Sequence, residues 1–183
     1  MARQSIISME IFEKLRLIKS FVFDVDGVLT DNTVHVWENG DQTRTMNVRD
    51  GFALKRAIDC GYKVCIITGG NSKGVISRLN GLGITDIYSK VSDKVGAMAT
   101  YMESKELNHS EILYMGDDIM DLTVMKATGV AAAPSDAVSE ILDIAHIIST
   151  KEGGKGCARE VIEQTMKLQG TWTMKHEGEV SGV

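Results

Sequence analysis

The chain has 183 residues, 43% of them hydrophobic and 25% charged, with a formal net charge of −5. That suits one core of ordinary domain size and argues against a surface built for nucleic acid. Three cysteines without a C-x-x-C pair argue against a disulfide framework or a structural zinc site and fit a reducing cytoplasm.

The opening M-A-R-Q-S-I-I-S-M-E-I-F-E-K-L mixes acidic with apolar residues, which suits a short helix rather than a secretory signal. No apolar run approaches about 18 residues, so no membrane span is expected. S-F-V-F-D-V (20–25) reads as the first strand, and 33–47 places two short alternating segments around Asn39-Gly40-Asp41, a strong hairpin signal. Strand-like runs then follow at 63–68, 86–91, 111–116, 129–133 and 146–149. Helical patterns occupy 50–60, 71–81, 93–106, 118–127, 135–143 and 155–168. Repeated strand-helix alternation predicts an α/β fold, a Rossmann-like three-layer sandwich with a central parallel sheet and a β-hairpin extension after strand one. One domain is expected over 1–183, its core at about 20–168, with a tail from Gly170 that is mobile or held by a partner.

In such a sheet the loops at the carboxyl ends of the strands converge on one crevice. Four of these ends carry polar groups: Asp24-x-Asp26, Thr68-Gly69-Gly70-Asn71, Ser92-Asp93-Lys94, and Gly116-Asp117-Asp118-x-x-Asp121. Clustered carboxylates repel unless a cation sits among them, and an all-oxygen set selects a hard ion such as Mg²⁺. Asp24 and Asp117 are the candidate metal ligands, with Asp26 contributing its main-chain carbonyl. Side chains at i and i+2 of a strand share a face, so Asp24 and Asp26 address one substrate if the strand persists.

With phosphate bound there, Asp24 is the candidate nucleophile, and Asp26 the acid that protonates the leaving oxygen and later the base that activates water. Thr68 and Gly69 offer a hydroxyl and a helix-opening turn to the phosphoryl oxygens, and Lys94 offers a fixed positive charge. Asp118 and Asp121 are read as standing behind the ligands, the first supporting the metal and the second capping or bracing a helix. Arg49, Lys73 and Arg159 are further candidate substrate contacts. The plainer readings are that Asp93 caps the helix from Lys94, that Cys65 is a small buried hydrophobe, and that Gly153-Gly154-Lys155-Gly156 is a turn before the last helix. A lone D-x-D is usually a surface turn, but here it follows S-F-V-F, and a second acidic cluster follows I-L-Y-M.

D-V-D-G-V-L-T-D, I-I-T-G, S-D-K and G-D-D-I-M-D, in that order, resemble the four motifs of the haloacid dehalogenase superfamily of phosphotransferases over roughly residues 20–165. The resemblance implies Mg²⁺, Asp24 as nucleophile and Asp26 as acid/base, and the short connections leave no room for a cap domain. Within the superfamily, the hairpin, N-V-R-D-G-F (47–52) and G-G-K-G-C-A-R-E (153–160) resemble the 3-deoxy-D-manno-octulosonate 8-phosphate phosphatase group of lipopolysaccharide synthesis. That group implies a cytoplasmic homotetramer in which a neighbour's hairpin and tail complete an open site, with no nucleic-acid or membrane partner. A departure is that Gly70 and Asn71 follow Gly69 where the group commonly carries a basic residue. A phosphatase for nine-carbon 3-deoxy sugar-acid 9-phosphates and a non-catalytic oligomerisation module are the alternatives.

Overall fold

The structure, a computed structural model, describes residues 9–172; the expected tail lies outside them beyond Trp172. Helix α1 (Met9–Arg16) leads into strand β1 (Ser20–Phe23), the hairpin strands β2 (His35–Val36) and β3 (Gln42–Thr43), α2 (Val48–Asp59), β4 (Lys63–Ile67), α3 (Lys73–Gly81) and β5 (Asp86–Tyr88). The second half alternates α4 (Lys94–Lys105), β6 (Ile112–Met115), α5 (Ile119–Ala127), β7 (Val130–Ala133), α6 (Ser139–Ile144), β8 (Ile147–Ile148) and α7 (Cys157–Leu168).

Six strands form one parallel sheet in the order β5-β4-β1-β6-β7-β8. The chain therefore builds outward from β1 in one direction and then, starting at β6, in the other. The strand-period alternation sorts side chains onto two cores: Phe21 and Phe23 of β1 face one, and Val22 faces the other. The first core is closed by α1, α2, α3 and α7 and the second by α4, α5 and α6. No helix among the described residues is long and apolar enough to cross a membrane.

The elements fall where the apolar periods place them, with shorter strands. The first stops at Phe23 rather than Val25, because the Val25 carbonyl accepts from the N–H groups of Val28, Leu29 and Thr30 at 3.2, 3.0 and 3.0 Å and turns the chain. Helix α6 starts at Ser139 rather than 135, since Asp136 is engaged elsewhere, accepting from Gly153 N at 2.9 Å. The hairpin forms around Asn39-Gly40, closed by Trp37 N donating to Asp41 O at 2.9 Å, and its strands are two residues each.

N-V-R-D-G-F and G-G-K-G-C-A-R-E meet in space for a structural reason. Helix α7 opens at Gly156, which has no side chain to cap it. Asp50, from the first turn of α2 and only 2% exposed, does so instead, accepting from Arg159 N at 2.7 Å. Burial pushes its carboxyl up to about 6. A raised folded-state pKa means the native chain holds this proton more tightly than the unfolded chain does. Asp50 thus adds stability that is fully present below 3.8 and is lost as pH rises through about 6. Asp50→Ala is expected to cost about 1–2 kcal/mol through the lost cap. Chemical denaturation across this range should show the gap between wild type and variant widening as pH falls from neutral.

Candidate active site

Residues distant in sequence meet where the direction of sheet building reverses, between β1 and β6, the usual place for a ligand crevice in an open parallel sheet. Asp24 follows β1, its N–H still bonded to Met115 O at 3.0 Å, and Asp117 follows β6. The turn after Asp24 approaches Asp117 so closely that a Cβ on Gly27, at φ +82°, would lie 1.9 Å from Asp117 Oδ2. From behind, a Cβ on Gly153 would lie 2.0 Å from the Gly27 carbonyl oxygen, and Gly154 N donates to Val28 O at 2.9 Å. The glycine-rich stretch at 153–156 is thus a turn, as expected, and also a backing plate for the loop that carries Asp26.

Lys94 sits at the centre, 5% exposed, with Nζ 3.1 Å from Asp24 Oδ2 and 2.7 Å from Asp121 Oδ1. Asp24, Asp117 and Asp121 each present an oxygen within 4.8 Å of the others. Three carboxylates around one ammonium leave two negative charges uncompensated in a buried place. Burial and the neighbouring carboxylates push Asp24 above its ordinary range and Asp117 up to about 7. Burial alone would lower the Lys94 pKa, but the charges of Asp24 and Asp121 outweigh it and hold the ammonium more firmly protonated.

The oxygens of this cluster are not equivalent. Asp121 has spent its own on protein donors: Lys94 and the Tyr114 hydroxyl (2.6 Å) on Oδ1, and Asp117 N (3.3 Å) on Oδ2. Asp24 Oδ1 and Asp117 Oδ1 are buried with no hydrogen-bond partner at all. Two bare carboxylate oxygens amid excess negative charge fit a hard divalent cation, whose charge would oppose the rise that burial and the neighbouring carboxylates produce. Asp24 and Asp117 are the residues that would hold it.

The other expected residues divide between this cleft and its surroundings. Thr68, Gly69, Gly70, Asp26 and Asn32 line it with the cluster, in a space of about 240 Å³. Thr68 Oγ1 accepts from Gly70 N at 3.0 Å, which leaves its hydroxyl hydrogen available to a bound phosphoryl oxygen. Asp26 does not share a strand face with Asp24, because the strand has ended and Asp26 sits in the turn. Its carboxylate points to Arg44, Nε to Oδ1 at 2.5 Å, and so stands apart from the acidic cluster.

Asp118 is exposed and caps α5, accepting from Ile119 N at 2.7 Å, while Asp121, three residues on, turns under the sheet end and is fully buried. Asp93 caps α4, accepting from Gly96 N at 3.0 Å. Arg49 and Arg159 line a separate cleft along α7, where the Arg159 guanidinium lies over the rings of Phe52 and Trp172 and bonds Glu163. Lys73 lines the larger cleft, about 850 Å³, between the hairpin and the start of α3. Sequence reasoning missed Arg44, Asn32, which donates to Asp117 Oδ2 at 3.3 Å, and Tyr114. Tyr114 alone had a signal, since a tyrosine inside a buried strand needs a partner for its hydroxyl.

Residues 79–161 match the model of the haloacid dehalogenase-like hydrolases. The 3-deoxy-D-manno-octulosonate 8-phosphate phosphatase KdsC of Escherichia coli K12 is 34% identical over 164 residues, covering 90% of this chain and 87% of its own. The crystal structure of such a phosphatase from Moraxella catarrhalis, in complex with magnesium, phosphate and KDO, superposes with a TM-score of 0.87 at 32% identity, covering 90% of this chain and 95% of the other. A cobalt-bound form from Haemophilus influenzae gives 0.83 at 32% identity, covering 86% and 92%. A parallel sheet with its acidic cluster at the β1/β6 junction, and this degree of identity along nearly the whole chain, place it in the haloacid dehalogenase-like hydrolases, in the family of the 3-deoxy-D-manno-octulosonate 8-phosphate phosphatases.

Proposed function

We propose that the protein is a Mg²⁺-dependent phosphatase that hydrolyses 3-deoxy-D-manno-octulosonate 8-phosphate through an aspartyl-phosphate on Asp24. The observation that carries this reading is the pair of bare buried oxygens, Asp24 Oδ1 and Asp117 Oδ1, beside the ammonium of Lys94. When bound, Mg²⁺ neutralises charge on the cluster and on the phosphoryl oxygens. Lys94 and the Thr68 hydroxyl hold those oxygens, with Gly69 in the adjoining turn. Asp24 attacks phosphorus; its new P–O bond forms as the bond to the sugar oxygen breaks, and Asp26 delivers a proton to that departing oxygen. Asp26 then takes a proton from the water that attacks phosphorus, releasing inorganic phosphate and restoring Asp24.

The named relatives support the eight-carbon substrate over a nine-carbon one, and the intact charge cluster speaks against an idle scaffold. Three free cysteines support a reducing, cytoplasmic setting. A homotetramer in which hairpins reach neighbouring sites is supported by the hairpin itself, which exposes Val36 and Trp37 at 71% and 60%.

Phosphate release from purified protein tests the activity. Chelation should abolish turnover and added Mg²⁺ restore it, and Asp24→Asn should lower kcat by roughly 10³-fold or more. The eight-carbon sugar-acid phosphate should be preferred to the nine-carbon 9-phosphate; the reverse preference would reassign the substrate while leaving the reaction type in place. Light scattering should report about four chains per particle, and a fully active monomer would remove the role given to the neighbour's hairpin.

A further inference from the structure

The contact between Arg44 and Asp26 belongs to neither the fold nor the metal site. Arg44 stands at the foot of the hairpin, just past β3, with its side chain only 12% exposed. Its guanidinium forks over the Asp26 carboxylate, Nε to Oδ1 at 2.5 Å and Nη2 to Oδ2 at 3.4 Å. Its foot is tied on both sides. Thr30 and Met46 form an antiparallel bridge, and Asn47 donates from Nδ2 to Gly154 O at 3.2 Å while its own oxygen accepts from Arg49 N at 2.8 Å. Gly70 packs close beneath the fork: a Cβ there would lie 3.0 Å from Asp26 Oδ2, tight enough to press on that oxygen, and 4.0 Å from Arg44 Nη2.

We infer that Arg44 is a positioning residue for proton transfer, aiming the Asp26 carboxylate at the leaving oxygen from the foot of the hairpin. The inference rests on the phosphatase reading above. A carboxylate in a turn, with its side chain 34% exposed and no other side-chain partner in the described residues, has rotamer freedom that a planar two-point donor removes. Misplacing a reacting group by about 1 Å costs on the order of 10²-fold in rate, so the clamp bears directly on the chemical step. It also links the hairpin, which borders the larger cleft through Gly40 to Arg44, to the residue that moves the proton.

A merely structural arginine would affect both substrates alike, and one that binds the sugar would lower its turnover whatever stands at residue 26; one that aims an acid matters only where the leaving group needs the proton and only while Asp26 is present. The test compares kcat/KM, which reports the step that forms the phosphoenzyme, for 3-deoxy-D-manno-octulosonate 8-phosphate and for p-nitrophenyl phosphate, whose leaving group departs unprotonated. Arg44→Ala is expected to lose about 10- to 100-fold on the sugar phosphate and less than about 3-fold on the aryl phosphate. Arg44→Lys, which keeps the charge without the fork, should recover only part of the loss. In an Asp26→Asn background, Arg44→Ala should add almost nothing on the sugar phosphate. Equal losses on both substrates, full recovery by lysine, or an undiminished effect in the Asp26→Asn background would each overturn the inference. Loss of Asp24-dependent turnover of either substrate in the otherwise wild-type protein would instead overturn the phosphatase reading beneath it.

Discussion

The site depends on a buried ammonium that is outnumbered. Lys94 touches Asp24 and Asp121 and lies in the same pocket as Asp117, so it offsets one of three negative charges in a place water scarcely reaches. Such a cluster is costly to fold and costly to break, since removing the lysine would strand the carboxylates. The imbalance has a chemical use: a place that holds excess negative charge in the resting protein is prepared for a cation, and with that cation for a phosphoryl group. Asp121 and Tyr114 keep the lysine aimed, and Asp121 also receives the Asp117 N–H, so one residue without a bare oxygen organises those that have one.

The same logic explains why the acid and the nucleophile, two residues apart, live in different electrostatic surroundings. Asp24 faces the buried cluster, and Asp26 faces an arginine from outside the sheet. With its own cation beside it, Asp26 adds little to the excess negative charge that Asp24 faces. The end of β1 achieves the separation, because the chain leaves the strand at Asp24 and the turn swings Asp26 toward the hairpin.

Much of this was legible from residue order. Apolar runs that end in acidic or hydroxyl residues, four times over, marked one crevice and named Asp24, Asp117, Thr68 and Lys94, and the structure brings all four together. What was not legible depends on where a helix begins or on how distant pieces dock. In G-D-D-x-x-D, only the start of α5 at Ile119 decides that Asp118 faces solvent and Asp121 faces the cluster. Arg49 and Arg159 stood in suggestive motifs, yet those motifs meet because Asp50 caps α7, a contact between two helices that local pattern does not disclose. Arg44 had no signal, since nothing in T-R-T-M-N says that a hairpin folds back on Asp26.

The tight main-chain contacts around Gly27 and Gly153 carry a consequence for how such a protein changes over time. Backbone pressed against backbone on one side, and against a carboxylate on the other, leaves no slack in the turn that follows the acid, so extra residues cannot be spliced in at Gly27 without dislodging Asp117. The neighbouring finger of chain from Thr33 to Thr43, between the two residues that reach the site, has solvent around most of it. A change in the shape of that finger can therefore alter what the mouth of the site admits while the charges at its floor stay where they are.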